Sequence, residues 1–211
     1  MQSETAARDD MVLLARSLFE RGLTAGSTGN LSVRVDGGFI MTPTNASFGF
    51  LDAEQLSRLD DDGRWVSGDK PTKEAFLHLA MYRAQPSRQS VSHLHSTHAV
   101  CLSCLQGINP DNMITPYTPY LTMRVGQVAL APYYRPGDEA LGPVVEKLAA
   151  KYNGIVIANH GPVVAAKSLR DAVFAIEELE ESARIQLLLG DRPANTLTEA
   201  QLTDLSTMKI G

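Results

Sequence analysis

The stretch Val91-Ser92-His93-Leu94-His95-Ser96-Thr97-His98 reads as a buried strand passing into a helix, and it carries three of the chain's five histidines. Successive side chains on a strand alternate faces, so His93 and His95 point the same way, close enough to share one ion. His98 falls one turn into the following helix and is a neighbour, not a partner. A lone interior histidine is ordinarily a hydrogen-bonded core residue. Two on one strand face, with the distant His160 as a third candidate, point to a metal site.

Outward from that strand, helices and strands alternate irregularly. Apolar residues from Met11 to Phe19 recur at helical spacing and predict a helix over residues 9–21. Thr24-Ala25-Gly26-Ser27-Thr28-Gly29-Asn30 then forms a small polar loop feeding the alternating strand Leu31-Ser32-Val33-Arg34-Val35. Such a loop can aim N–H groups and hydroxyls at an anion, or it can be a solvated connector. Asp36-Gly37-Gly38 turns the chain into a hairpin partner, Phe39 to Thr42, which delivers a second polar loop, Pro43-Thr44-Asn45-Ala46-Ser47.

Asp52 is expected to cap a short helix reaching Leu59, before a short strand at Arg64-Trp65-Val66. Pro71-Thr72-Lys73-Glu74 opens a helix to about Arg83, with Thr72 as its cap. Glu74 there is either a dipole-compensating carboxylate or a group brought beside the metal, and spacing alone does not choose. His78, four residues on, reads as a packing histidine or one behind the ligands. Gly154 to Ala158 is a core strand delivering Asn159-His160-Gly161, and residues 169–189 form the last long helix. Its run Glu177-Glu178-Glu180-Glu181 reads as a solvated face or a subunit contact. Strands and helices without strict alternation argue for an α+β, mixed-sheet fold over a nucleotide-binding Rossmann domain.

The 211 residues, 44% hydrophobic and 20% charged, predict a single domain over 1–211, with a short terminal helix and tail in 191–211. A net charge of −5 argues against a nucleic-acid partner, so an anionic substrate must find local donors. The start has neither the basic end nor the apolar core of a signal peptide, and no apolar run approaches membrane-spanning length. Cys101 and Cys104 are expected to be reduced core residues, and the protein cytoplasmic.

Five motifs occur in one order: Thr28-Gly29-Asn30-Leu31-Ser32-Val33-Arg34, Thr42-Pro43-Thr44, Thr72-Lys73-Glu74, His93-Leu94-His95 and Asn159-His160-Gly161. Together they resemble the class II aldolase/adducin head family, over roughly residues 9–189. The resemblance implies a three-layer α/β/α domain with a central, largely antiparallel mixed sheet, assembled as a homotetramer with sites near subunit boundaries. It implies His93, His95 and His160 as zinc ligands, with Mn2+ or Co2+ as possible substitutes, and Glu74 as the catalytic carboxylate. Gly29, Asn30 and Thr44 resemble phosphate-binding positions, and Tyr120 a proton-donating tyrosine. The chain departs from the aldolases at Asn45, where they often place glycine, and at Thr72-Lys73, where they place two serines. All three departures flank the expected phosphate pocket.

With His-Ser-Thr-His and Thr-Pro-Tyr, these departures make the chain most similar to the branch that decarboxylates 3-oxo-tetronate 4-phosphates. The activity so implied is zinc-dependent loss of carbon dioxide through an ene-diolate to give dihydroxyacetone phosphate. The competing readings are a sugar-phosphate aldolase of the fuculose-phosphate type or an epimerase, and a non-catalytic, metal-stabilised interaction domain. Closed, thiol-rich shells typify structural zinc, which weighs against the last.

Overall fold

The computed structural model describes residues 3–208; residues 1–2 and 209–211 of the expected domain lie outside them. One eight-stranded sheet organises the chain, in the order β4-β3-β2-β1-β5-β8-β7-β6. Its strands are β1 (Asn30–Val35), β2 (Gly38–Met41), β3 (Ser57–Leu59), β4 (Trp65–Ser67), β5 (Ser90–His93), β6 (Val128–Ala131), β7 (Gly154–Ile157) and β8 (Gly161–Ala166). β6 and β7 pair parallel, and the other pairings are antiparallel.

Strand alternation divides the core in two. Leu31, Val33, Val156 and Val164 face α1 (Glu4–Glu20), α3 (Thr97–Ser103), α4 (Pro119–Arg124) and α6 (Leu169–Leu189). Phe39, Met41, Val91, Ile155, Ile157 and Val163 face α2 (Ala75–Ala84) and α5 (Leu141–Ala149). Both sheet faces are therefore covered, which is why the central strands read as near-continuous apolar runs. The result is the expected three-layer α/β/α arrangement around a mainly antiparallel sheet. Leu169, Val173, Ile176 and Leu179 of α6 are buried, and each fully buried aliphatic side chain contributes about 1.5–3 kcal/mol. That face anchors α6 whatever its acidic face does.

Several local expectations are corrected. Helix α1 starts at Glu4, because the Ser3 hydroxyl accepts from Ala6 N–H and Arg8 pairs with Glu4 one turn back. No helix follows Asp52. Its carboxylate accepts from Glu54 N–H in a tight local turn, and Ser57–Leu59 pairs with β2. Helix α2 begins at Ala75, with Glu74 in the capping position and no cap bond from its side chain. The Thr72 hydroxyl instead accepts from Glu74 N–H at 3.3 Å.

Cys101 and Cys104 are free and exposed, because the short helix α3 buries the opposite face through Ala99 and Leu102. The acidic run of α6 is not uniformly solvated. Glu180 is buried, and its carboxylate accepts from His98 N–H at 2.8 Å and Ala99 N–H at 2.9 Å, closing the N-terminus of α3. Residues 191–208 include α7 (Glu199–Thr207), which carries a capping box at Thr198 and Gln201. Among the described residues no helix is long and apolar enough to cross a membrane.

Candidate metal centre

Two chain reversals and one helix start meet at the end of β5. Val91 packs into the α2 side of the core, so the strand period directs His93 to that face, towards Glu74 at the start of α2. β5 ends at His93, but Leu94 N–H still bonds Pro162 O at 3.1 Å, carrying the extended direction on to His95. His160 sits in the β7–β8 turn, where Asn159 adopts φ 56° and His160 N–H returns to Ile157 O. Asparagine is among the few side chains that tolerate that left-handed backbone.

Gly161 lets this turn lie directly against the loop after β5. A Cβ there would stand 2.2 Å from Leu94 O, a backbone atom with no room to retreat. Gly161→Ala is therefore expected to destabilise the protein by about 3 kcal/mol, in the range of severe backbone and overpacking lesions. Chemical denaturation of the two proteins measures it; an unchanged midpoint would contradict the close approach.

The side chains of Glu74, His93, His95 and His160 converge, with one candidate ligand atom from each lying within 4.8 Å of the others. His95 Nε2 is 3.2 Å from His93 Nε2 and 3.1 Å from His160 Nε2. Glu74 Oε2 is 3.4 Å from His93 Nε2, and its Oε1 is 3.2 Å from His160 Nε2. Nitrogens bound to one tetrahedral ion at about 2.0–2.1 Å stand roughly 3.3 Å apart, so His95 already stands at ligand spacing from both other rings.

His93 Nδ1 donates to Pro162 O at 2.8 Å, which leaves the Nε2 lone pair facing the cluster. Burial pushes His93 down to about 4 against the opposing pull of Glu74, and burial also lowers His95. Both rings are then neutral donors near pH 7. Burial raises the Glu74 carboxyl, but the His93 ring and hydrogen bonds from His160 and Asn30 outweigh it and hold it well below the ordinary carboxylate range. Three imidazoles and one carboxylate, with no thiolate, fit an accessible divalent cation rather than a closed structural site.

A cleft of about 220 Å³ opens beside this cluster, lined by Ser27, Thr28, Gly29, Asn30, Pro43, Thr44, Asn45, Thr72, Lys73, Glu74, His95 and Pro136. Both polar loops from the sequence thus reach one space. Gly29, at φ 83°, brings the first loop against β5, where a Cβ would stand 3.0 Å from His93 O. Asn45 adopts φ 58°, so the substitution at a position often held by glycine keeps a residue suited to the left-handed backbone. Lys73 is the one cationic side chain among the lining residues. Pro136, from the loop before α5, joins the lining.

Tyr120 is not brought to this cleft. It is 57% exposed near the start of α4, whose buried residue is Leu121. His78 lies behind the site, fully buried, with Nε2 against Asn30 Oδ1, while Asn30 Nδ2 donates to Glu74 Oε2 at 2.8 Å. Asn30, expected on a phosphate, lines the cleft and also gives its side-chain amide to the carboxylate.

The chain is 49% identical over 207 residues to the 3-oxo-tetronate 4-phosphate decarboxylase of Pectobacterium atrosepticum, covering 98% of this chain and 95% of the relative. The crystal structure of YgbL from Escherichia coli superposes with a TM-score of 0.94 at 46% identity, covering 97% of this chain and 99% of that one. An L-fuculose 1-phosphate aldolase structure gives a TM-score of 0.85 at 26% identity, covering 95% of this chain and 94% of that one. Residues 9–187 match the Class II Aldolase and Adducin N-terminal domain. The chain belongs to the class II aldolase and adducin N-terminal domain family.

Proposed function

We propose that the chain is a metal-dependent carboxy-lyase that converts a 3-oxo-tetronate 4-phosphate to dihydroxyacetone phosphate and carbon dioxide. The observation that carries this reading is the convergence of three imidazole Nε2 atoms and the Glu74 carboxylate beside a cleft lined by two polar loops. The name carried by the Pectobacterium relative supports the substrate class. His93, His95 and His160 are the metal ligands in this reading, and imidazole nitrogen donors suit Zn2+. Once bound, the ion supplies Lewis-acid stabilisation of negative charge developing on substrate oxygens.

The chain's own groups do the rest. The bond between carbons 1 and 2 breaks, carbon dioxide leaves, and the electron pair passes into the carbonyl at carbon 3 to leave an ene-diolate. A proton must then reach carbon 2, and Glu74 is the proton-transfer group at the cluster. Held ionised, it accepts a proton before it can deliver one. Lys73 gives an anionic end of the substrate its counter-charge, and Gly29, Thr44, Asn45 and Thr72 line the space for the phosphate. In this reading Tyr120, exposed on α4, serves the site of a neighbouring subunit in a homotetramer.

A sugar-phosphate aldolase is the second reading, favoured by the likeness to L-fuculose 1-phosphate aldolase. Breaking a bond to carbon 2 demands the same charge stabilisation when the leaving group is an aldehyde. Offering the protein each set of substrates, with metal loaded and with metal stripped, separates the two. The loaded form is expected to release carbon dioxide from the keto-acid phosphate, and the stripped form is not. A new carbon–carbon bond from dihydroxyacetone phosphate and glycolaldehyde, with no carbon dioxide release, would move the conclusion to the aldolase.

A further inference from the structure

A file of buried polar side chains runs from Glu74 into the core between the sheet and α2. Glu74 Oε2 accepts from Asn30 Nδ2 at 2.8 Å, and Asn30 Oδ1 meets His78 Nε2. His78 Nδ1 lies 2.7 Å from Ser32 Oγ, which lies 2.8 Å from the Tyr82 hydroxyl. All five residues are buried, from 5% exposure at Glu74 to none at His78 and Ser32. We propose that His78, backed by Ser32 and Tyr82, is a positioning residue that fixes the Asn30 amide so that Glu74 is held as an oriented carboxylate.

The chemistry of each group sets the direction of the file. A carboxylate only accepts, so the Asn30 NH2 must face Glu74 and its carbonyl oxygen must face His78. His78 Nε2 must then carry the proton, which makes Nδ1 an acceptor. Ser32 donates to that nitrogen, and Tyr82 donates to Ser32. Every donor thus points towards Glu74, and its Oε2 is occupied while Oε1 stays towards His160 and the cluster. Burial pushes His78 down to about 3 and raises Tyr82, consistent with a neutral ring and an intact phenol.

Satisfying buried polar groups would by itself explain hydrogen bonds, but not why polar groups stand here. The surrounding face is apolar, with Phe39, Met41, Leu77, Met81 and Val91 in the same cluster. An apolar replacement of the whole file would leave fewer desolvated groups. A file whose donors all end on one anion at the mouth of the cleft has that anion as its purpose.

The proposal rests on Glu74 as the proton-transfer group. His78→Phe is expected to lower kcat for carbon dioxide release by about 10–100-fold, the usual cost of losing a group behind an active residue, with KM and bound metal unchanged. His78→Gln, which returns an amide donor for Asn30, should recover most of that loss. In an Asn30→Ala background His78→Phe should cost little more, because its effect passes through Asn30. Should His78→Phe not fold, Tyr82→Phe takes its place, with a smaller fall in kcat and the same pattern.

Nitrogen-15 spectra of metal-free wild-type protein supply a readout that needs no turnover: His78 is expected as the neutral tautomer protonated at Nε2. A tautomer protonated at Nδ1, or kcat unmoved in His78→Phe, overturns the proposal. Wild-type protein that releases no carbon dioxide overturns the decarboxylase reading instead, and leaves the tautomer to decide the positioning.

Discussion

Replacing His95 with alanine is expected to strip the protein of its divalent metal and lower turnover by at least about 10³-fold. His95 Nε2 lies between the other two rings, at 3.2 and 3.1 Å, so its loss leaves two nitrogens without the donor that joins them. Removing a group behind a metal ligand already costs 10–100-fold in affinity, and removing a ligand costs more. Lewis-acid stabilisation worth several kcal/mol goes with the ion, at one tenfold step per 1.36 kcal/mol. His95 lies two residues beyond the end of β5 and is outside both apolar clusters, so the fold should survive. Metal analysis after dialysis, beside circular dichroism, checks both halves. Full metal content and full turnover in His95→Ala would remove the centre.

Glu74→Gln separates the carboxylate's chemistry from its place in the cluster. The amide fills the same volume, and its oxygen can still accept from Asn30 Nδ2, so packing at the start of α2 is kept. What disappears is the capacity to take and return a proton, which costs typically 10²–10⁴-fold. We expect kcat to fall by that factor, with KM and metal content close to wild type because three imidazoles remain. Steady-state kinetics on metal-loaded protein decide it, and undiminished kcat would end the role for Glu74. A fall in metal content would recast Glu74 as a ligand.

Period-based reasoning reached the parts of the site that lie on regular structure. The alternation along Val91 to His95 placed His93 and His95 on one face, and the rings indeed lie 5.0 Å apart by their centroids. The last long helix was legible to its ends, Leu169–Leu189, from its apolar spacing, and the structure adds the Ser168 cap and Gly190 at its two ends. Residues 52–59 misled because Asp52 serves a helix cap and a tight local turn equally well, and only pairing with β2 decides. The exposure of Cys101 and Cys104 follows from which face of α3 meets α6, a tertiary fact that spacing cannot hold. Glu180 reads as one more solvated acid, yet it closes the N-terminus of α3 across 82 residues of chain. The same limit hid the file behind Glu74. Ser32, His78 and Tyr82 become one device only when β1 lies against α2, and no local pattern announces that contact. Tyr120, expected at the site by resemblance, has no place in the cleft of its own chain.

The most direct test of the whole account follows carbon 1. A 3-oxo-tetronate 4-phosphate labelled with carbon-13 at carbon 1 should be turned over by metal-loaded protein in deuterium oxide. The account predicts all of the label in carbon dioxide, an equal amount of unlabelled dihydroxyacetone phosphate, and one solvent deuterium on its hydroxymethyl carbon. Label retained in an acid or an aldehyde, with no carbon dioxide formed, would contradict it.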